Sequence, residues 1–113
     1  MLPKENRLKA KKDFEKVFKK GKGIKEGPLF LKVLRNGLGI SRFGFIVSQK
    51  ISKKAVLRNK IKRRLRELIK KRIKKLKKGT DCAFVALPGL EKKEFKDTEK
   101  ILEKLLEKAK LTE

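Results

Sequence analysis

The sequence predicts one small domain of mixed helices and strands, and three observations support this fold class. A chain of 113 residues can enclose one modest hydrophobic core but not two. Three segments show apolar residues at helical spacing. Between them lie short apolar runs bounded by glycine, proline and asparagine, which is typical of strands. This succession predicts an α/β fold built around one sheet, with no linker or internal repeat to divide it.

The N-terminal part of the chain predicts a flexible segment followed by a short helix. Residues 1–10 are polar and basic, so we expect them to be flexible. Residues 11–20 predict a helix, with Phe14, Val17 and Phe18 on a single face. Two phenylalanines on such a face more often belong to a core, but lysines flank them. They could therefore also form a platform on which nucleobases stack.

Apolar runs between the helical segments predict strands. Residues 29–34 and 43–47, joined by a glycine-rich connection, predict an antiparallel hairpin, and residues 22–25 give a weak signal for a further strand. Residues 81–87 are apolar almost throughout, which predicts a central strand. Alternation divides the first run between two faces of the sheet, with Leu29, Leu31 and Val33 on one and Phe30, Lys32 and Leu34 on the other.

The longest helical pattern, residues 55–78, has the densest positive charge. Its apolar residues fall on one arc that must be buried, and Glu67 is the only acid in the segment. Like charges three and four residues apart repel, so this helix suits a polyanionic ligand. A solvated basic face is the alternative interpretation. The apolar arc consists of Leu57, Ile61, Leu65, Leu68, Ile69, Ile73 and Leu76.

The basic helix lies between two predicted strands and completes a βαβ unit. Such a unit predicts a parallel pair of strands, and the physical preference is a right-handed crossover. The last segment, residues 91–110, predicts an amphipathic helix whose buried face begins at Phe95. Its acids and lysines nearly cancel, which indicates a scaffold helix rather than a nucleic acid reader.

Composition narrows the class of function. Lysine and arginine number 36 against 13 acids, with no histidine and a net charge of +23, so a nucleic acid is the first expected partner. The lack of histidine argues against the common catalytic triad and Cys-His zinc patterns. Cys82 is the only cysteine and predicts a small buried core residue in a reducing, cytoplasmic compartment. The high lysine and glutamate content favours a thermophilic source.

Two motifs resemble those of a known family. Residues 42–50 read Arg-Phe-Gly-Phe-Ile-Val-Ser-Gln-Lys, and residues 55–67 read Ala-Val-Leu-Arg-Asn-Lys-Ile-Lys-Arg-Arg-Leu-Arg-Glu. In this order and spacing they resemble the signature of the protein-subunit family of bacterial ribonuclease P. The N-terminal helix and the Gly79-x-Asp81 element extend the resemblance over nearly the whole chain.

The resemblance implies both a fold and an activity. The fold is a two-layer α/β (α+β) sandwich in the order α-β-β-β-α-β-α, with a four-stranded mixed sheet and an unusual left-handed βαβ crossover. The activity is that of a bacterial ribonucleoprotein endoribonuclease that removes the 5′ leader from precursor tRNA. Its catalytic RNA and Mg²⁺, held mainly by the RNA, perform the chemistry. The implied protein has no catalytic residue, metal site, membrane partner or obligate protein partner of its own.

The resemblance also implies two sets of site residues. The first borders a cleft between the sheet and the N-terminal helix, and the second lies on one flank of the basic helix, where arginine can grip phosphate. The expected leader-binding residues are Phe14, Phe18, Lys32, Ser48, Lys50, Lys53 and Lys54. The expected catalytic-RNA-binding residues are Arg58, Asn59, Lys62, Arg63 and Arg66.

Two other functions fit a strongly basic domain. A ribosomal or other structural RNA-binding protein would use the same helix to neutralise RNA, without a catalytic role. A membrane-surface module would need interfacial Trp and Phe residues beside the basic stretch, which the sequence lacks. The paired Phe14 and Phe18 and the Val47-Ser48-x-Lys50 element favour the ribonuclease P resemblance, because simple charge neutralisation needs neither.

Overall fold

The computed structural model describes residues 2–112, and within them the chain forms four strands and three α-helices. The helices are α1 (Lys11–Lys20), α2 (Ala55–Arg72) and α3 (Phe95–Lys108). The strands are β1 (Lys22–Glu26), β2 (Leu29–Arg35), β3 (Arg42–Val47) and β4 (Thr80–Ala86). Short 3-10 turns lie at Lys4–Asn6, Ile73–Lys75 and Leu90–Lys92. The element order and the mixed sheet confirm the predicted fold class.

The four strands form one sheet in the order β1-β2-β4-β3. The central position of β4 and its parallel pairing with β3 are confirmed. The predicted hairpin of β2 with β3 is wrong, because β4 lies between them. The hairpin partner of β2 is β1, through a turn at Gly27, whose φ of 56° suits a residue without a side chain. The handedness of the β3-α2-β4 crossover stays a prediction.

Different helices cover the two faces of the sheet. On one face, α2 packs against β3 and α3 packs against β1 and β2. The main core lies there and includes the fully buried Leu31 and Phe84. On the other face, α1 packs against β2 and β4, where Val17 forms a second cluster with Leu8 and Ala83. The sheet therefore separates α1 from α2 and α3.

Two of the predicted helix limits are wrong. The basic helix ends at Arg72, and the chain continues through a 3-10 turn to Leu76, which is buried and forms a bridge to Thr112. Its apolar pattern extends past the helix because this connecting segment is also buried. The last helix begins at Phe95 rather than near residue 91, and Phe95 is 39% exposed rather than buried. It lies one turn before Thr98, the first buried residue of α3.

Residues 2–10 pack against the edge of β3. The side chains of Leu2 and Leu8 are buried, and the amide of Leu8 donates a hydrogen bond to the carbonyl of Phe43 at 2.9 Å. No pattern in residues 2–10 predicted these contacts, because isolated leucines among charged residues form no periodic pattern. The expected flexibility of residues 1–10, of which Met1 lies outside the described part of the chain, stays a prediction.

A buried carboxylate links β4 to its neighbours. Asp81 accepts hydrogen bonds from Arg42 of β3, with Nε to Oδ1 at 2.8 Å and Nη2 to Oδ2 at 2.6 Å. Asn36, which follows β2, donates to Oδ1 at 2.8 Å, and Nη1 of Arg42 reaches Asp13 of α1 at 3.4 Å. The hydrogen bonds with Asp81 raise the pKa of Arg42. Two residues on which the family resemblance depends therefore hold the sheet together.

Gly44 makes room for α1 on the sheet. A Cβ at this position would lie 2.2 Å from Cζ of Phe14 and 3.1 Å from the carbonyl oxygen of Leu8. The ring of Phe14 therefore lies directly over the β3 backbone. It stacks with Phe18 at a centroid distance of 6.5 Å and an interplanar angle of 18°.

We expect Gly44→Ala to lower the free energy of unfolding by about 1–3 kcal/mol, because the added methyl overlaps the Phe14 ring. Urea unfolding followed by circular dichroism measures the loss. Phe14→Leu in the same chain should make the double variant more stable than additivity predicts. Gly39→Ala is the control, since nothing lies within 4 Å of its Cβ. Equal effects of the two alanine substitutions would contradict the packing argument.

Cys82 is fully buried, which confirms its expected role in the core. Burial raises the pKa of its thiol to about 12. The pKa of a cysteine in an unfolded chain is about 8.5. As the pH rises, the thiol therefore loses its proton in the unfolded chain before it does so in the folded one.

The contribution of Cys82 to stability should therefore be complete below about pH 8.5 and should fall above it, by up to ~1.4 kcal/mol per pH unit. Urea unfolding between about pH 8 and 10 tests this window. The Cys82→Ala variant should lose less stability than the wild type over the same range. Parallel losses in the two proteins would show that other groups cause the pH dependence.

Candidate RNA interface

The basic residues of α2 project away from the core. Ile61, Leu65, Leu68 and Ile69 are buried, which confirms the central part of the predicted apolar arc. The polar positions between them therefore face outward. Of the expected catalytic-RNA-binding residues, Asn59 and Arg63 are exposed, whereas Arg58, Lys62 and Arg66 are half-buried.

Two acids of α3 hold that helix to α2. Nη2 of Arg72 lies 2.6 Å from carboxylate oxygens of both Glu99 and Glu103. Burial lowers the pKa of Arg72, but its hydrogen bonds with Glu99 and Glu103 outweigh burial and raise the pKa overall. The hydrogen bond from Arg72 also lowers the pKa of Glu99. These acids therefore stabilise the helix pair at one end of α2.

The cations in the middle of α2 are not neutralised in this way. Within residues 2–112, no ion pair engages the four basic members of the expected catalytic-RNA-binding set. Their charge is therefore available to an anionic ligand. These four residues are Arg58, Lys62, Arg63 and Arg66.

Arg58 also fixes the connection between β3 and α2. Its Nη1 donates a hydrogen bond to the carbonyl of Ser52 at 2.8 Å. The hydroxyl of Ser52 accepts from the amide of Lys54 at 3.0 Å, and the hydroxyl of Ser48 accepts from the amide of Lys50 at 3.2 Å. Ser48 and Ser52 therefore shape the backbone that presents the lysines. The exposed lysines of this connection are Lys50, Lys53 and Lys54.

The expected RNA-binding residues on one flank of α2 line two different cavities. Arg66 lines a cavity of about 350 Å³ beside the edge strand β3, together with Phe14, Arg7 and Leu8. Arg63 instead lines a groove of about 450 Å³ between α2 and the start of α3. The helix therefore presents its positive charge to two sides of the molecule.

The α1 side of the sheet has a row of apolar side chains that the sequence analysis did not assign to a site. The strand register places Phe30 of β2 opposite Val85 of β4, and Val85 beside Ile46 of β3. All three are half-buried. We call this row the open sheet face. Alternation had assigned Phe30 to one side of its strand, but only the pairing register brings the three residues together.

Three of the expected leader-binding residues lie on the α1 side of the sheet. Lys32 shares a face of β2 with Phe30, and its Nζ donates to the carbonyl of Gly21, at the C-terminal end of α1, at 3.3 Å. Phe18 is half-buried. Phe14 packs on Gly44, which supports the core interpretation for that ring. Ser48 lies two residues beyond Ile46, just after the end of β3, and the exposed lysines follow it in the chain.

In the described part of the chain, two pairs of carboxylates each bind one arginine. Asp13 and Asp81 share Arg42, just as Glu99 and Glu103 share Arg72. No cluster of three metal-binding side chains occurs within residues 2–112. No helix of this range has the length and apolar character required to cross a bilayer.

Comparison with known proteins identifies the family. The family model described as Ribonuclease P matches residues 2–110. The chain belongs to the ribonuclease P protein family. A ribonuclease P protein component of Clostridium botulinum strain 657 is 38% identical over 107 residues, which cover 94% of this chain and 96% of the relative. The component of Pseudanabaena is 36% identical over 112 residues, or 98% and 97% of the two chains.

Solved structures of this family have the same fold. The RNase P protein of Staphylococcus aureus matches with a TM-score of 0.88 at 29% identity, covering 96% of this chain and 98% of that one. The protein of Thermotoga maritima matches with a TM-score of 0.82 at 30% identity, covering 90% and 96%. The resemblance to the ribonuclease P family is therefore confirmed. The roles of the individual site residues stay predictions.

The contacts of Arg58 and Arg63 predict different effects on stability. Arg58→Gln should lower the free energy of unfolding by about 1 kcal/mol, because it removes the bond to the Ser52 carbonyl. Arg63→Gln should change it by less than about 0.5 kcal/mol, because Arg63 has no such bond within the described residues. Urea unfolding of both variants measures the difference. Equal stabilities would show that the Arg58 contact contributes nothing to the fold.

Proposed function

We propose that this protein acts with a catalytic RNA as ribonuclease P and removes the 5′ leader from precursor tRNA. The observation that supports this most strongly is a family match over residues 2–110, in a chain whose signature helix carries central cations without an ion pair among residues 2–112. In the proposal, the RNA and Mg²⁺ perform the cleavage and the protein alone is inactive. The protein binds RNA at two surfaces.

The first surface is α2, which we propose contacts the catalytic RNA. Arginine guanidinium groups can bind phosphate bidentately, and Asn59 is exposed where it could reach a 2′-hydroxyl or a base. Each phosphate contact releases condensed counterions, so binding at this surface should weaken steeply with salt. Arg58 has two roles in the proposal, since it also orders the connection that precedes α2.

The second surface is the open sheet face, which we propose binds the leader. Phe30, Ile46 and Val85 offer a half-exposed apolar floor, and Phe18 and Lys32 lie on the same side of the sheet. A single strand needs such a combination, because its unpaired bases can lie on apolar and aromatic groups while lysines attract its phosphates. In the proposal, this surface continues beyond β3 through Ser48, Lys50, Lys53 and Lys54. The ring of Phe14 stacks with that of Phe18.

Two surfaces on one rigid domain explain how a protein without catalytic groups assists cleavage. A substrate bound by its leader to the protein and by its tRNA body to the catalytic RNA is held at two points. The second contact is then intramolecular, which raises the effective concentration of the scissile bond. The positive charge of the protein also offsets repulsion between the two RNAs, so less Mg²⁺ is needed. A cytoplasmic location and the lack of an obligate protein partner remain predictions.

Cleavage assays with two substrates test the proposal. A bacterial ribonuclease P RNA at low Mg²⁺ is given precursor tRNA with a long leader or with almost none, with and without the protein. We expect the protein to tighten binding of the long-leader substrate selectively. Phe18→Ala should reduce that gain about tenfold, since stacking contributes ~1–3 kcal/mol per base. Leu38→Ala, a change at a 48% exposed apolar residue, is the matched control.

Two outcomes would contradict the proposal at different points. No stimulation with either substrate, together with equal binding to ribosomal RNA fragments, would favour the structural RNA-binding alternative. Stimulation that is independent of leader length would contradict leader binding at the open sheet face. It would remain consistent with binding of the catalytic RNA by α2.

A further inference from the structure

Phe95 is an exposed aromatic residue beside the basic helix. Of the seven phenylalanines in the chain, the other six are buried or half-buried, whereas Phe95 is 39% exposed. Nζ of Lys71 lies 5.9 Å from the centroid of its ring, within the range of a cation–π contact. The other large exposed hydrophobic residues of the described chain, Leu38 and Val56, are aliphatic.

The groove between Phe95 and α2 is strongly cationic. Its volume is about 450 Å³, within the range of pockets that bind small ligands. The four cations come from neighbouring positions along one side of α2, so they face the ring together. Glu67 is the one acid in the lining. The cationic residues are Lys60, Arg63, Arg64 and Lys71.

We propose that this groove binds an unpaired nucleobase of the catalytic RNA. The base stacks on the ring of Phe95, and Arg63 and Arg64 bind the phosphates on either side of it. Every base has a π face, so stacking does not depend on sequence, and arginine supplies bidentate phosphate contacts. A continuous RNA duplex would gain nothing from an aromatic ring, because its bases stack on one another. The ligand is therefore a loop or a bulge.

The position of the groove favours the catalytic RNA over the precursor tRNA. This step rests on the proposed function, in which α2 contacts the catalytic RNA. Because α2 and α3 pack on the face of the sheet opposite α1, the sheet separates the groove from the open sheet face. A leader bound beside α1 lies on the other side of the domain. Arg63 belongs both to the groove and to the expected catalytic-RNA-binding set.

Fluorescence can report on the groove directly. The chain contains no tryptophan and no tyrosine, so Phe95→Trp introduces a single fluorophore at this position. We expect saturation with a bacterial ribonuclease P RNA to quench its emission, because the indole stacks against a base. Precursor tRNA alone should leave the emission unchanged. Quenching by precursor tRNA but not by the catalytic RNA would overturn the assignment to the catalytic RNA.

Affinity measurements separate stacking from charge. Phe95→Ala and Phe95→Leu should each weaken binding of the catalytic RNA about tenfold, with an unchanged dependence on salt, because no charge is removed. Arg64→Gln should instead reduce the slope of log K against log salt by about one. Leu38→Ala should bind like the wild type. Circular dichroism confirms that each variant is folded, and Phe95→Leu keeps an apolar side chain in case the alanine variant is unstable.

The outcomes distinguish this inference from the proposed function. If Phe95→Leu binds as tightly as the wild type, or if the emission of the Phe95→Trp variant is undiminished at saturation, the stacking site is refuted. The proposed function would survive that result provided that the wild type still stimulates cleavage. If the wild type does not bind the catalytic RNA at all, the proposed function itself fails.

Discussion

The arrangement of the strands depends on the carboxylate of Asp81. It lies on the central strand, has only 7% of its side chain exposed, and accepts hydrogen bonds from Arg42 on one side and Asn36 on the other. A buried charge is tolerated only when it is fully paired, so this group strongly favours the register that supplies both donors. Arg42 extends the contact to Asp13, which helps to position α1. The two proposed RNA surfaces flank the sheet that this group organises.

Among residues 2–112, the ion pairs between α3 and α2 lie at the C-terminal end of α2. Glu99 and Glu103 of α3 bind Arg72, the last residue of α2. The repulsion along α2 is opposed by the burial of residues such as Leu65 and Leu68, which are fully inaccessible to solvent. An RNA that neutralises these cations would remove the repulsion and would therefore stabilise the folded protein.

Local pattern in the sequence was enough to predict elements but not their pairing. The limits of α1 agree with prediction because Phe14, Val17 and Phe18 repeat on one face between clear ends. The predicted hairpin of β2 with β3 failed because neighbouring strands were assumed to pair, whereas β4 is inserted between them. The order of the elements, with β1 only weakly indicated, and the parallel pairing of β3 with β4 followed from local pattern. The four-stranded two-layer sandwich was implied by the family resemblance.

The candidate site was predictable only in part, for related reasons. Charge density indicated α2 as a binding surface, and the central cations of α2 form no ion pair within the described residues. The open sheet face depends on the register that aligns Phe30, Val85 and Ile46, and no local pattern contains that information. Phe95 had the periodicity of a buried residue, but its place at the first turn of α3 leaves it exposed.

The central position of β4 sets the order in which the chain can fold. The β1-β2 hairpin is local and can form early. In contrast, β3 pairs with β4, which is synthesised later. Arg42 and Asp81, for example, are separated by 39 positions in the chain. Pairing over such distances slows folding, because the intervening chain must lose its freedom first. During translation, α2 therefore leaves the ribosome before the strand that completes its core, and the most basic part of the nascent chain is exposed to cellular RNA until residue 86 follows.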